Sequence, residues 1–143
     1  MALKFHPEPG ALLVCDYGDE PIEPEMVKRR PVVVVSPRLK HRDGLCCVVA
    51  LSTTPPKHVC EFHHKIVMDR PLPPPFDARE MWVKGDMIAT VGFHRLDLVR
   101  TGRDQTGKRK YLNIKIKHDD LLAVHQAVLH GLGLGILTPH MGS

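Results

Sequence analysis

Arg30-Pro31-Val32-Val33-Val34-Val35-Ser36-Pro37 is the stretch on which the fold turns. Four consecutive β-branched residues are stiff at χ1 and suit a pleated sheet, so they predict a buried central strand. Pro31 suits the first position of that strand, where its missing N–H costs no ladder bond. Upstream, Leu12-Leu13-Val14-Cys15 follows a Gly10 breaker and runs into Asp16-Tyr17-Gly18-Asp19, a first strand entering a turn. Residues 18–30 between the two are polar and hold Pro21 and Pro24, which predicts a long loop. Downstream, the basic stretch 36–44 connects to a third strand, Leu45 to Leu51, halted by Thr53-Thr54-Pro55-Pro56. His58 to Met68 alternates more weakly and predicts a fourth strand, partly exposed at His58 and His64. Pro71, Pro73, Pro74 and Pro75 exclude regular structure until about Ala78, after which Met81-Trp82-Val83-Lys84 opens another short strand.

Leu98 to Ile116 predicts a hairpin turning at Gly102-Arg103-Asp104-Gln105-Thr106-Gly107, with Lys108, Arg109 and Lys110 crowding its far side. One helix follows. It starts at His118-Asp119-Asp120, repeats Leu121, Val124, Val128 and Leu132 at helical spacing, and ends at Gly131 and Gly133. Many strands and one late helix imply a mainly β fold, a small barrel or curled antiparallel sheet, rather than a doubly wound parallel sheet. One domain over residues 1–133 with a frayed tail at 134–143 is expected.

Composition sets outer limits. The 143 residues are 43% apolar and 25% charged, which suits one soluble domain and excludes disorder, collagen and coiled coil. No run approaches the roughly 20 apolar residues of a membrane span. The amino terminus has no apolar signal core, so a cytosolic protein is expected. A net charge of +4 is compatible with a polyanionic partner. Adjacent Cys46 and Cys47, with Cys15 and Cys60 in other segments, read as small buried hydrophobes rather than a framework. The alternative, zinc held by His58, Cys60, His63 and His64, does not match structural-site spacing.

Polar residues collect where strands begin and end. Arg30 stands at the foot of the valine strand, Ser52, Thr53 and Thr54 just past the third, and Lys84 and Asp86 share one face if their strand continues. An arginine, a hydroxyl, a lysine and a carboxylate so placed suit phosphate chemistry. Plainer readings exist for each. Lys28-Arg29-Arg30 is then a solvated charge run, Ser52-Thr53-Thr54 turn chemistry, Lys84-Gly85-Asp86 a surface turn, and Trp82 core.

Four segments in order resemble the MazF/PemK (Kid) toxin family. They are Gly10 with Asp16-Tyr17, Arg30-Pro31-Val32-Val33-Val34-Val35-Ser36, Val48-Val49-Ala50-Leu51-Ser52-Thr53, and Val83-Lys84-Gly85-Asp86-Met87-Ile88-Ala89-Thr90-Val91 with His94-Arg95-Leu96. The resemblance covers about residues 8 to 130. It implies an SH3-like barrel of the CcdB/MazF/PemK type with one C-terminal helix, assembled as a homodimer. It also implies a toxin of a type II toxin–antitoxin module, a metal-independent endoribonuclease of single-stranded RNA with no cofactor and an antitoxin protein as partner.

By that resemblance the catalytic positions fall on Arg30, Ser52, Lys84 and Asp86. Thr53, Lys28, Arg29 and Trp82 are the candidate substrate-binding residues. The chain departs from the family pattern at Ala11 after Gly10, at Ser52 for threonine, at Lys84 for arginine and at Met87 for glutamine. Its hairpin around 102–107 is longer than in compact members. Two other classes stand beside the nuclease: a CcdB-like toxin that binds a protein target, and a plain nucleic-acid-binding barrel.

Overall fold

The computed structural model describes residues 3–18, 20, 22–26 and 28–141. Nine strands and one α-helix follow in order: β1 Ala11–Asp16, β2 Arg29–Val34, β3 Leu45–Ser52, β4 His63–Val67, β5 Glu80–Gly92, β6 Leu96–Asp97, β7 Val99–Arg103, β8 Arg109–Leu112, β9 Ile114–Lys115 and α1 His118–Gly131. The main sheet is antiparallel and runs β4-β5-β3-β2-β1-β6, with β9 pairing the same strand β1. β7 and β8 form a separate two-stranded ribbon.

Because β1, β2 and β3 are apolar at odd and even positions alike, both faces of the sheet centre are buried. One cluster gathers Leu12, Val33, Val49, Leu51, Met81 and Val83 beneath Val124 and Val128 of α1. The other gathers Leu13, Cys15, Val32, Val34, Cys46, Val48 and Leu96 on the face away from the helix. The mainly β architecture with one C-terminal helix is therefore the one expected from the sequence.

Several local expectations shift. β2 starts at Arg29, so Pro31 is its third residue; the ladder to β3 begins at Val32, and the missing N–H interrupts none of those rungs. Ser52 is the last residue of β3 rather than the first beyond it. β4 starts only at His63, because the His63 N–H donates to the Cys60 carbonyl and the Cys60 N–H to His63 Nδ1, closing a turn over 60–63. That turn leaves Cys60 exposed, whereas Cys15 and Cys46 are buried as expected. β5 runs for 13 residues, not a short segment. Leu132 is exposed, since the helix stops at Gly131 and Gly133 turns the chain at φ +77°. Gly135–His140 forms a 3₁₀ helix where the sequence suggested a frayed tail.

Glycine decides how the helix sits. A Cβ on Gly85 would lie 2.5 Å from the Ala127 carbonyl and 2.8 Å from the Phe62 carbonyl oxygen, and one on Gly131 would lie 2.9 Å from the Asp86 backbone. Helix and strand thus touch backbone to backbone, with no side chain between. A hydrogen bond between His64 Nε2 and Asp120 Oδ1 (3.0 Å) and a contact from His130 Nδ1 to Glu61 Oε2 (2.8 Å) tie the two ends of α1 to the β4 region. Gly85→Ala should therefore destabilise the fold by about 1–3 kcal/mol, since the clash is with backbone and cannot relax through a rotamer. Urea unfolding at matched m-value checks this; an unchanged midpoint would show that the helix packs more loosely.

Candidate active site on the face opposite the helix

Strand register gathers the polar residues. The β2–β3 ladder ends at Val32 and Ala50; continued two residues beyond that last pair, the same register sets Arg30 level with Ser52. Ser52 pairs in turn with Trp82, and Trp82 with Lys65. On the other side Arg30 pairs with the buried Cys15. Directly opposed residues of an antiparallel pair share a face, with Cβ atoms roughly 5 Å apart. One row therefore crosses four strands, Arg30–Ser52–Trp82–Lys65, where the helix-distal cluster gives way to solvent.

Alternation along β5 extends this row. Met81 and Val83 are buried toward α1, so Trp82 and Lys84 take the opposite face with Ser52, and Asp86 lies within the bulge that follows. Lys84 is half-buried and faces His63 of β4, while Asp86 is exposed. There the β3–β5 register slips between Val49 and Leu51, and this bulge re-aims residues 84–87. Lys84-Gly85-Asp86 is therefore strand, not a surface turn.

Other candidates stand elsewhere. Arg29 is opposite Asp16 and alternates to the face that Arg30 does not use. Lys28 adopts φ +62° at the neck of the β1–β2 loop. There the Tyr17 N–H donates to the Lys28 carbonyl (2.8 Å) and the Lys28 N–H to the Gly18 carbonyl (3.0 Å). Arg95 Nη1 adds hydrogen bonds to the carbonyls of Asp16 and Tyr17, so the loop is anchored at its base. Thr53 is exposed in the turn after β3. Ser52 itself holds that turn: its Oγ accepts from the Thr54 N–H at 3.1 Å and donates to the Thr54 carbonyl at 3.2 Å.

The sequence missed three neighbours. Lys65 ends the row and is ion-paired with Glu80 at 2.9 Å. His63 flanks Lys84. Tyr17, Glu25, Met26, Met87, Ile88 and Ala89 line an open groove of about 420 Å³ between the β1–β2 loop and β5. Only the pairing register reveals the first two, and only the fold-back of a polar loop builds the third. Burial raises the Tyr17 hydroxyl pKa and pushes the Cys15 thiol up to about 11, which keeps both neutral beside the arginine strand. A second cavity of about 340 Å³, between the end of β4 and the β9–α1 junction, contains none of the candidate residues. Among the described residues no three His, Cys, Asp or Glu side chains group so as to hold a metal ion, and His58, Cys60, His63 and His64 do not converge.

The fold has close counterparts. An endoribonuclease from Mycobacterial species, solved in complex with its cognate antitoxin, superposes with a TM-score of 0.61 at 21% identity, covering 90% of this chain and 97% of that one. MazF from Deinococcus radiodurans gives 0.58 at 18% identity, covering 91% and 99%. Among sequences, the protein YifN of Escherichia coli (strain K12) is 29% identical over 92% of this chain and 95% of its own length. A Haemophilus influenzae protein is 34% identical over 67% and 73%. The family model of the PemK-like, MazF-like toxin of type II toxin–antitoxin systems matches residues 8–131. With nearly the whole domain matched in sequence and the same fold in structure, the chain belongs to the PemK/MazF-like toxin family.

Proposed function

We propose that this toxin is an endoribonuclease that cleaves single-stranded RNA without a metal, using the 2′-OH of the substrate as nucleophile. The observation that carries the reading is the row Arg30–Ser52–Trp82, which offers a guanidinium, a hydroxyl and an aromatic ring on one face across three strands. Such a reaction needs a base for the 2′-OH, an acid for the departing 5′-oxygen, and positive charge on the phosphorane-like transition state. Arg30 supplies that charge, because its planar fork matches phosphate oxygens and stays protonated. Lys84, on the same face, adds a second cation as a point charge. Asp86 either takes the 2′ proton or orients Lys84.

Ser52 donates its proton to a phosphate oxygen by releasing the Thr54 carbonyl, an exchange of one hydrogen bond for a charge-assisted one. Its turn role and its substrate role thus use the same hydroxyl in different states. Trp82 gives one base a stacking surface, and the groove walled by Tyr17, Met26 and Met87 receives a neighbouring base splayed from the strand. Thr53 and Lys28 contact the backbone on either side, whereas Arg29, on the other face of β2, does not. The solved relative held by its antitoxin supports an antitoxin protein as this chain's partner. A homodimer and a cytosolic site of action are part of the same proposal. No helix among the described residues is long and apolar enough to cross a membrane.

Arg30→Ala should lower cleavage of a long single-stranded RNA about a hundredfold or more, while binding falls much less, and Arg30→Lys should recover only part. Single-turnover rates with affinity measured in parallel check this; near-normal cleavage by the alanine variant removes Arg30 from the chemistry.

The double use of Ser52 generates its own expectation. Ser52→Ala should lose far more activity than Thr54→Ala, and Ser52→Thr should be tolerated because the hydroxyl is kept. Initial rates of the three variants decide it. Equal losses for Ser52→Ala and Thr54→Ala would mean that the hydroxyl serves only the turn.

A further inference from the structure

The β7–β8 ribbon interrupts what would otherwise be one edge strand. Val14 pairs with Asp97, so an unbroken strand would bring Val99 opposite Leu12. Ile114 stands there instead, 15 residues further along. β6 and β9 are thus two halves of a single strand along β1, and the ribbon is an insertion looped out from between them. Only its root is anchored: Val99 is buried in the helix-side cluster and pairs with Leu112.

Residues 100–110 contain no apolar side chain, carry Arg100, Arg103, Lys108, Arg109 and Lys110, and have a single acid, Asp104. That acid is occupied within the turn, accepting from the Thr106 N–H, the Thr106 hydroxyl and the Lys108 N–H. Arg100 lies 3.8 Å from Asp97. Arg103 stands directly opposite Arg109 in the ladder. Like charges so opposed weaken a ribbon; within the turn Arg103 Nη1 only donates to the neutral Gly107 carbonyl (3.0 Å), whereas a polyanion laid along the ribbon would neutralise the pair. A protein partner would want an apolar centre to bury, and residues 100–110 offer none; the exposed Leu112 stands alone at the root.

Asp97, Val14 and Pro31 lie on neighbouring strands, and Val99 enters the ribbon two residues beyond Asp97, so Arg30 is roughly 12–15 Å from the base of the ribbon at the usual strand spacing and rise, a span of about two to three nucleotides. We infer that the ribbon is a backbone-binding arm that grips single-stranded RNA through its phosphates, a few nucleotides away from the bond at Arg30. This rests on the reading of the substrate as RNA. The arm reads no sequence. It contributes affinity and salt dependence, and it holds the flanking strand while the groove selects bases.

The test uses the full chain and a single-stranded RNA bearing 2′-O-methyl groups throughout, so binding is measured without cleavage. Affinity is recorded against salt for the wild type, for Arg109→Gln/Lys110→Gln, and for the charge-matched control Lys40→Gln/Arg42→Gln in the exposed 36–44 loop. The ribbon variant should lose about tenfold in affinity at low salt, and its salt slope should shrink by about 0.7 for each phosphate contact removed. The control should change markedly less. Equal losses in both variants would reduce the effect to net charge, and unchanged binding by the ribbon variant would show an arm that touches no RNA. A loss confined to antitoxin binding would make it a protein contact. Each of these overturns the inference, as does a wild type that does not bind the RNA. A wild type that binds this RNA but fails to cleave the unmodified strand would undo the proposed reaction and leave the arm standing.

Discussion

The register between β2 and β3 is the constraint on which the rest depends. In most half-buried sheets a slip of one residue is punished because it turns apolar side chains to water. Here Val32 to Val35 and Val48 to Leu51 are apolar on both faces, so hydrophobicity at the centre does not discriminate between registers. The ends do. At one end the Val35 N–H donates to the Cys47 carbonyl and the Cys47 N–H to Ser36 Oγ, locking the strands together. At the other, Arg30 and Ser52 emerge at the same level, where both reach solvent. A one-residue slip would push the guanidinium toward the helix-side cluster, at a desolvation cost of several kcal/mol. The residues assigned to chemistry therefore also select the pairing that brings them together.

Helix packing fixes the other half of the site. Because Gly85 and Gly131 let backbones meet, Lys84 and Asp86 are presented from a bulged strand segment, residues 84–87, whose depth the helix fixes. Any side chain at Gly85 would lift the strand by part of an ångström and move both residues relative to Arg30. Positioning at this scale matters for catalysis by pre-organised charge, where small displacements are costly.

Much of this was legible in the sequence. The valine run, the proline-rich breaks and the helical spacing of Val124 and Val128 determine element type, and the helix, the central strands and the hairpin fall where they were expected. The boundaries that moved did so for local reasons. A His63–Cys60 turn shortened β4, and glycine contacts with the helix kept β5 extended through what resembled a turn. The candidate site was drawn from residue types at strand ends, and the row Arg30–Ser52–Trp82 brings three of those candidates onto one face. The bland reading of Ser52 as turn chemistry also describes a real hydrogen bond to Thr54. Lys65, His63 and the Tyr17–Met87 groove were not legible, because cross-strand partners and loop fold-back depend on register and tertiary contact. Nor does composition reveal that the basic hairpin is an insertion in an edge strand. Only the pairing of β1 with both halves does.

The central claim is that the substrate's own 2′ oxygen attacks while Arg30 and Ser52 hold the phosphate, and the ends of the products test it most directly. Long single-stranded RNA incubated with the pure protein in excess EDTA should yield 2′,3′-cyclic phosphate and 5′-OH ends. The same RNA carrying deoxyribose at the scissile position should stay intact. Products with 5′-phosphate ends, or activity abolished by EDTA, would contradict the account even if the protein cuts RNA.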